Sequence, residues 1–141
     1  MESNEKMMDQ CIRWLEKEVG CEVYFIHNEE KTNGFAEYRN GGHIIYVIGN
    51  KEKISAKSFL EILTHEAGHV LYNKRKMKEG TEYDTIVKKT QEKLMCFDRL
   101  LQEQIITDEE YDRFYQAMEE EWESEREKEK LLKRLESELL T

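Results

Sequence analysis

The sequence predicts an α+β fold, and three features of its 141 residues support that prediction. Apolar residues recur at helical spacing from residue 2 to residue 19. Residues 21–49 are instead rich in β-branched and aromatic side chains and are divided by turn residues. After Asn50 the helical period returns and continues almost to the end, in a chain with no proline to interrupt a helix.

These features predict the order of elements along one domain. We expect an N-terminal helix, a small three-stranded sheet, a helix that begins near Ser55, and two long C-terminal helices. A chain of this length can bury one hydrophobic core but not two. We therefore interpret residues 1–141 as a single domain, with a core unit at 1–80 and a helical C-terminal part at 81–141.

The first predicted helix is amphipathic. Its apolar positions recur at spacings of three, four and seven residues. They are Met7, Met8, Cys11, Ile12, Leu15 and Val19. Gly20 follows and predicts a left-handed C-terminal cap, so the helix is expected to end there.

The predicted strands are "CEVYFIHN", "FAEYRN" and "HIIYVIGN", with "EEKTNG" and "GG" as the turns between them. We interpret them as a three-stranded meander. The third strand is apolar at nearly every position and is therefore expected inside the sheet. The second alternates charged with apolar residues, which is typical of an edge strand. A free edge can bind an extended peptide by strand addition.

Capping residues predict where the later helices begin. Ser55 or Ser58 can cap the helix that follows Asn50, and Gly80 is expected to end it. Capping-box patterns occur at Thr81 with Asp84 and at Thr107 with Glu110. We expect the final helix to run from Thr107 to about residue 140. Its packed face is predicted from apolar and aromatic residues at related spacings: Tyr111, Phe114, Tyr115, Met118, Trp122, Leu132, Leu135 and Leu139.

Composition narrows the function classes. The formal net charge of −9 repels phosphate backbones, which argues against nucleic-acid binding. The N-terminal "MESNEKMMDQ" is unlike a secretory signal, and no window reaches the roughly 20 apolar residues of a membrane span. Three separated cysteines fit reduced thiols better than a disulfide framework. We expect a cytoplasmic protein without a membrane partner.

The strongest chemical signal is "HEAGH" at residues 65–69, in a chain with four histidines. His65 and His69 are separated by one helical turn, so both imidazoles can reach one ion. Glu66 is rotated by about 100° from His65 and can accept a proton from an attacking water. Gly68 leaves room for close packing or for substrate. The motif predicts a metal-dependent hydrolase site, with Zn²⁺ as the favoured ion and manganese or iron as alternatives.

A catalytic zinc needs a third protein ligand. Glu121 and Glu125 interrupt the apolar face predicted for the last helix, and carboxylates are seldom buried without a partner. Both are therefore candidate ligands. The remaining candidates are Glu79, Glu82, Asp84 and Asp98. We interpret His27 and His43 as polar strand residues, although His43 could line a cleft.

The order of elements resembles the ImmA/IrrE-type zinc metallopeptidases, a zincin group common on bacterial mobile elements. The resemblance covers roughly residues 20–72 and is carried by "GFAEYRNGGHIIYVIGN" and "ILTHEAGH". The ligand glutamate of that group is followed by a small residue, an Asn or Asp, and two leucines, at three, four, ten and eleven positions on. Counting from Glu121 gives Ser124, Glu125, Leu131 and Leu132.

The resemblance implies a zincin-like fold with Glu121 as third ligand and Glu125 as hydrogen-bond acceptor from a ligating histidine. This chain departs from the pattern at Glu127 and Lys128, where an aromatic residue and alanine are usual, and in a longer gap between His69 and Glu121. Members of the group cleave cytoplasmic regulators, often phage or mobile-element repressors. A zinc endopeptidase acting on such a protein is the implied function. A non-catalytic protein-binding module of the same fold is the alternative, and retention of Glu66 favours the enzyme.

Overall fold

The computed structural model describes residues 2–139, and these form an α+β fold, as predicted. Five α-helices and one three-stranded sheet are present in this part of the chain. The elements are α1 (Glu2–Leu15), a π-helical turn (Glu16–Gly20), β1 (Glu22–His27), β2 (Asn33–Arg39), β3 (Gly42–Gly49), α2 (Ala56–Lys78), α3 (Tyr83–Gln102), α4 (Asp108–Ala117) and α5 (Glu119–Glu138). No helix among residues 2–139 is both long enough and apolar enough to cross a membrane.

The sheet has the order β1-β3-β2, so the predicted meander is wrong. β3 pairs in parallel with β1 and antiparallel with β2. β3 is apolar on both faces and takes the central position, as predicted, which pushes β1 to one edge. The tight turn from β2 to β3 uses Asn40 and Gly41, both with positive φ. β2 is an edge strand, as predicted, and its free edge faces away from β3.

One face of the sheet packs against α1 and α2 to form the core. Ile45 and Val47 of β3 are fully buried there beside Leu15 of α1 and Phe59 of α2. The opposite face is more open, with Tyr24, Ile26 and Phe35 among the exposed large hydrophobic residues. α2 is therefore anchored on the sheet along one side, which holds the "HEAGH" segment against β2.

α5 packs across the other side of α2, and a glycine permits their close approach. A Cβ atom added at Gly68 would collide with the carbonyl oxygen of Ser124 and lie 3.0 Å from its carbonyl carbon. Leu131 and Leu135 of α5 continue the contact into the core. We call this contact, centred on Gly68 and Ser124, the α2–α5 crossing. It brings the N-terminal half of α5 beside the two histidines.

Several predicted helix features are confirmed. The side chain of Ser55 accepts a hydrogen bond from the Ser58 amide and caps α2. Gly20 and Gly80 have positive φ at the predicted helix ends. Thr107 and Glu110 form the predicted capping box, which begins α4.

Two predictions about the C-terminal part are wrong. The helix expected from Thr107 to residue 140 breaks at Met118, whose backbone is extended, and α5 begins there. Glu119, Glu120 and Glu121 then fall in the first turn of α5, where carboxylates are favoured by the helix dipole. The capping box expected at Thr81 is absent, and α3 begins instead after Glu82 without a side-chain cap.

The break changes which residues face the core. The buried side of α5 carries Ser124, Lys128, Leu131 and Leu135 together with Glu120 and Glu121. Of the predicted packed face, Met118 and Leu135 are buried, whereas Trp122 is 54% exposed and Phe114 is 38% exposed, so that prediction is confirmed only in part. The spacing of seven residues does not predict a common face here, because α4 and α5 do not share a helix axis.

Candidate metal centre

The structure brings three of the predicted ligands together. His65, His69 and Glu121 each offer one ligand atom, and these atoms lie within 4.8 Å of one another. The two imidazole rings are 4.9 Å apart at their centroids and meet edge to face. Their positions follow from the four-residue spacing on α2, which stacks side chains one turn apart. No other group of three such residues in the described part of the chain is close enough to hold an ion.

The donor set fits zinc. Two imidazole nitrogens and one carboxylate oxygen leave a fourth position open, as in catalytic zinc sites. Two ligands bound about 2.0 to 2.1 Å from one tetrahedral ion lie roughly 3.4 Å apart. The distance from His69 Nε2 to Glu121 Oε2 is 3.4 Å. This pair is therefore already spaced as two ligands of one ion would be.

α5 orients His69 through its other nitrogen. The Ser124 hydroxyl donates to the backbone carbonyl of Glu120, so its single hydrogen is engaged there. Ser124 Oγ also lies 3.2 Å from His69 Nδ1, where it must accept the Nδ1 hydrogen. The Nε2 atom of His69 thereby faces Glu121: it donates to that carboxylate when the imidazole is protonated, and it is the nitrogen left to bind a metal when the imidazole is neutral.

Glu125, the residue of α5 that follows Ser124, contacts His65. Glu125 Oε2 lies 3.5 Å from His65 Nδ1. Glu125 Oε1 accepts a hydrogen bond from Lys128 Nζ at 3.2 Å, and Lys128 also pairs with Glu61. Lys128 is buried, and these two carboxylates raise its pKa despite the opposing effect of burial. Lys128 therefore holds Glu125 in place beside the histidine.

The contact between His69 and Glu121 favours the protonated imidazole and the ionised carboxylate. Burial lowers the pKa of His69, but the hydrogen bond and charge of Glu121 raise it more, so the net pKa lies above its ordinary value. Burial raises the pKa of Glu121, but the hydrogen bond and charge of His69 lower it more, and the net pKa lies below its ordinary value. Glu121 is therefore anionic throughout the neutral range, as a candidate metal ligand should be.

Glu66 is a buried carboxylate rather than a surface one. It is 9% exposed, and burial raises its pKa while the charges of His69 and His65 oppose the rise. Its Cγ atom would lie 3.1 Å from a Cβ atom at Gly34 of β2. Because Gly34 lacks a side chain, the edge strand passes close to Glu66 and to the metal ligands.

Two cavities meet at this site. One, of about 300 Å³, is bounded by β2 and by α3 residues that include Ile86 and Val87. The other, of about 430 Å³, runs from the β1–β2 loop to Lys128. Four residues line both cavities: Gly34, His65, Glu66 and Tyr115. The candidate site therefore lies in the middle of a cleft beside an edge strand.

α3 closes one side of the cleft and is joined to α5 by a buried carboxylate. Glu120 of α5 is 6% exposed and accepts hydrogen bonds from Thr90 at 2.6 Å and from Lys93 at 2.9 Å. Burial raises the pKa of Glu120, but these hydrogen bonds lower it more, and the net pKa lies below its ordinary value. The helix that lengthens the gap between His69 and Glu121 thus becomes a wall of the cleft.

The remaining candidate residues lie away from the site. Asp98 accepts a hydrogen bond from Tyr111, and Glu79 lies near Lys76 at the end of α2. Among the described residues, neither Glu82 nor Asp84 lines the two cavities. The exposed His27 contacts Glu29. His43 is buried against Tyr38 and does not line the cleft.

Tyr115 is the site residue that sequence reasoning missed. It was assigned to a packed aromatic face, yet it lines both cavities, one of them together with Glu121. Its spacing from Glu121 fits no shared helical face. Only the break at Met118 brings the two side chains together, and no glycine or proline marks that break.

Comparison of the chain with protein families, curated proteins and solved structures yields no match. The assignment of a function therefore depends on the geometry of this chain's own residues.

Proposed function

We propose that this chain is a zinc-dependent endopeptidase with a zincin-like fold, acting on a cytoplasmic regulatory protein. The observation that carries the proposal is the cluster of His65, His69 and Glu121 with Glu66 beside it in a cleft. Ligands alone would suffice for a structural metal. A buried carboxylate next to them, with no ligand role, is what hydrolysis requires in addition.

Each residue has a defined role in the proposed reaction. The two histidines and Glu121 hold the ion, and Ser124 and Glu125 fix the orientation of the imidazoles. Zinc, when bound, polarises a carbonyl and makes a coordinated water more acidic. Glu66 accepts the proton of the attacking water and delivers it to the leaving amine. Its raised pKa suits both halves of that transfer.

The cleft favours an extended polypeptide as substrate. β2 has a free edge, and its Gly34 borders both cavities. A peptide added to this edge would form backbone hydrogen bonds and pass over the metal ligands. The resemblance to ImmA/IrrE-type peptidases supports a repressor-like substrate in a phage or mobile-element context.

A non-catalytic binding module of the same fold is the second candidate. The exposure of Trp122, which lines a groove together with Glu121 and Glu125, favours it, because exposed aromatic residues often contribute to protein interfaces. Such a module would bind the partner without breaking a peptide bond. Its behaviour would not depend on Glu66.

Comparison of wild type with Glu66→Gln separates these two candidates. Zinc-loaded protein is incubated with a bacterial proteome, and new N-termini are quantified by mass spectrometry. The proposal predicts new termini at one or a few proteins with wild type and none with Glu66→Gln, although both bind zinc. Absence of new termini with zinc-loaded wild type, or equal cleavage by both forms, would contradict it.

A further inference from the structure

The cavity between β2 and α3 contains residues to which the proposed hydrolysis gives no role. Its volume is about 300 Å³, and its lining includes His65 and Glu66 of the candidate metal centre. α3 contributes Ile86 and Val87 to the same lining, and β2 contributes Ala36. Ile86 is buried and Val87 is half-buried. We call these two α3 residues the aliphatic pair.

Two contacts hold α3 beside the cleft, one before and one after the aliphatic pair. Before it, the Tyr83 ring packs against the Tyr38 ring of β2, with the ring centroids 5.5 Å apart. After it, the Thr90 hydroxyl donates to the buried carboxylate of Glu120 in α5 at 2.6 Å. The aliphatic pair therefore lies between an attachment to β2 and an attachment to α5, on the stretch of α3 that borders the candidate site.

The charges and amides of this cavity favour an uncharged guest. Glu120 and Glu121 both line it, and their carboxylates repel an acidic side chain. A basic side chain would compete for Glu120 with Lys93, which already donates to it at 2.9 Å. The remaining polar lining residues, Asn73 and Gln91, are neutral amides. An aliphatic side chain disturbs none of these groups and buries its surface against the aliphatic pair.

The second cavity of the cleft offers a different environment. It is lined by the ion pair of Glu61 and Lys128 and by Thr32 and Asn33, with Ile62 beside them. Burying an aliphatic side chain there would bring it next to charged and polar groups that water otherwise solvates. The cavity at α3 is therefore the better place for an aliphatic side chain.

We propose that α3 determines the substrate specificity of the cleft, because Ile86 and Val87 bind an aliphatic side chain of the polypeptide next to the bond that is cleaved. The inference rests on the proposed function, since it takes a polypeptide to lie along β2 with its scissile carbonyl at the metal. It narrows the substrate to a segment with an aliphatic residue at the cleavage site. It also gives a function to the helix that lengthens the gap between His69 and Glu121.

The test compares Val87→Asp with Thr85→Asp in zinc-loaded protein. Thr85 has nearly the shape of valine and lies on the same helix, but it is exposed and lines neither cavity. The probes are the N-acetyl hydroxamates of alanine, leucine and lysine, which bind zinc through the hydroxamate and are not cleaved. Calorimetry gives the affinity of each. The leucine-to-alanine affinity ratio within one protein is compared, because a change in zinc occupancy cancels from it.

Wild type and Thr85→Asp are expected to bind the leucine probe roughly tenfold more tightly than the alanine probe. In Val87→Asp this ratio should fall to about one, and the lysine probe should bind more tightly than it does to wild type. Val87→Thr keeps the shape of the side chain and so preserves the fold. It should lower the leucine-to-alanine ratio by about threefold.

Two kinds of failure are distinguishable. If the probes bind wild type no better with zinc than without it, the proposed function fails and the inference fails with it. If they bind through zinc, the inference alone is overturned by a ratio near one in wild type. A ratio that is unchanged in both Val87 variants, or lowered equally in Thr85→Asp, would overturn it as well.

Discussion

The α2–α5 crossing and the α3–α4 hairpin (residues 83–117) differ sharply in how tightly they pack. At the crossing, Gly68 lies against the Ser124 backbone and both residues are buried. In the hairpin, Ile86 is the one buried residue among those described in α3, and none is buried in α4. Met95 of the hairpin is 69% exposed. Three metal-ligand candidates lie on the tight region, whereas the loose region supplies a wall of the cleft.

This difference suggests that the two regions have different roles. A metal site needs ligands held to within fractions of an ångström, and close-packed helices with locked side chains provide that. A substrate cleft can tolerate, and even use, a wall that moves. We therefore expect substitutions at the crossing to affect folding and metal binding together, and substitutions at exposed hairpin positions outside the cleft to affect neither strongly.

The largest effect is expected at the crossing itself. Gly68→Ala would place a methyl group against the Ser124 backbone, which cannot yield as a flexible side chain can. Overpacking of this kind costs about 3 kcal/mol of unfolding free energy and should abolish zinc binding by separating Glu121 from the histidines. Gly42→Ala is the control, since the Cβ atom there meets only the Arg39 carbonyl oxygen at 3.8 Å. Chemical denaturation measures the unfolding free energy of both variants. Equal values for Gly68→Ala and Gly42→Ala would show that the crossing is not tight.

A smaller effect is expected where the two regions are joined. Glu120→Gln removes the charge that anchors Thr90 and Lys93 of α3 to α5. We expect a loss of roughly 1–2 kcal/mol, the lower part of the range for charged hydrogen bonds because Lys93 is partly exposed. Hydrogen exchange should rise in α3 and stay unchanged in α2. The matched control is Glu119→Gln, whose carboxylate pairs with Lys76 at the surface. Increased exchange across both α2 and α3 would contradict the division between the regions.

The hydrogen bonds of Glu120 also make the unfolding free energy depend on pH. The net pKa of Glu120 lies below its ordinary value in the folded protein, so its contribution to stability is present at neutral pH and is lost as the pH falls through that lowered pKa. The Glu120→Gln variant should therefore lose less stability than wild type on acidification below about pH 4.5. Parallel stability curves for the two proteins would contradict this.

Protons should compete with zinc at the metal site, with an effect of similar size for each pH unit. Zinc binds imidazole only after deprotonation, and the net pKa of His69 lies above its ordinary value. As the pH falls below that raised pKa, zinc affinity should decrease by about tenfold per pH unit for this proton, or about 1.4 kcal/mol. Calorimetric titration at pH 6.5 in two buffers of different ionisation enthalpy should detect proton release. Zinc affinity that is constant between pH 5.5 and 7.5 would contradict His69 as a zinc ligand.

The smallest effect is expected in the hairpin. Met95→Gln exchanges an exposed apolar side chain for a polar one of similar length. Unfolding free energy should change by no more than about 0.5 kcal/mol, and zinc affinity should be unchanged. A marked loss of stability would show that α3 packs more tightly than the structure indicates.

Sequence patterns predicted the parts of the fold that local rules control. Helical periodicity and Ser55 located α2, and the apolar character of β3 predicted its central position. The strand order was missed because pairing partners depend on contacts between distant residues, and a meander is only the simplest topology. The break at Met118 was missed because its backbone is extended without a glycine or proline. At the site, the spacing of His65 and His69 was sufficient to predict their proximity, whereas Tyr115 depends on that unmarked break.

Elemental analysis of protein purified without chelator, for wild type beside Glu121→Ala and Glu125→Ala, tests the metal site most directly. We expect about one zinc per chain in wild type and in Glu125→Ala, because Glu125 contacts His65 without completing the ligand cluster. Glu121→Ala should contain almost none. Absence of zinc from wild type, with no uptake when zinc is added, would contradict the metal site and the hydrolase proposed from it.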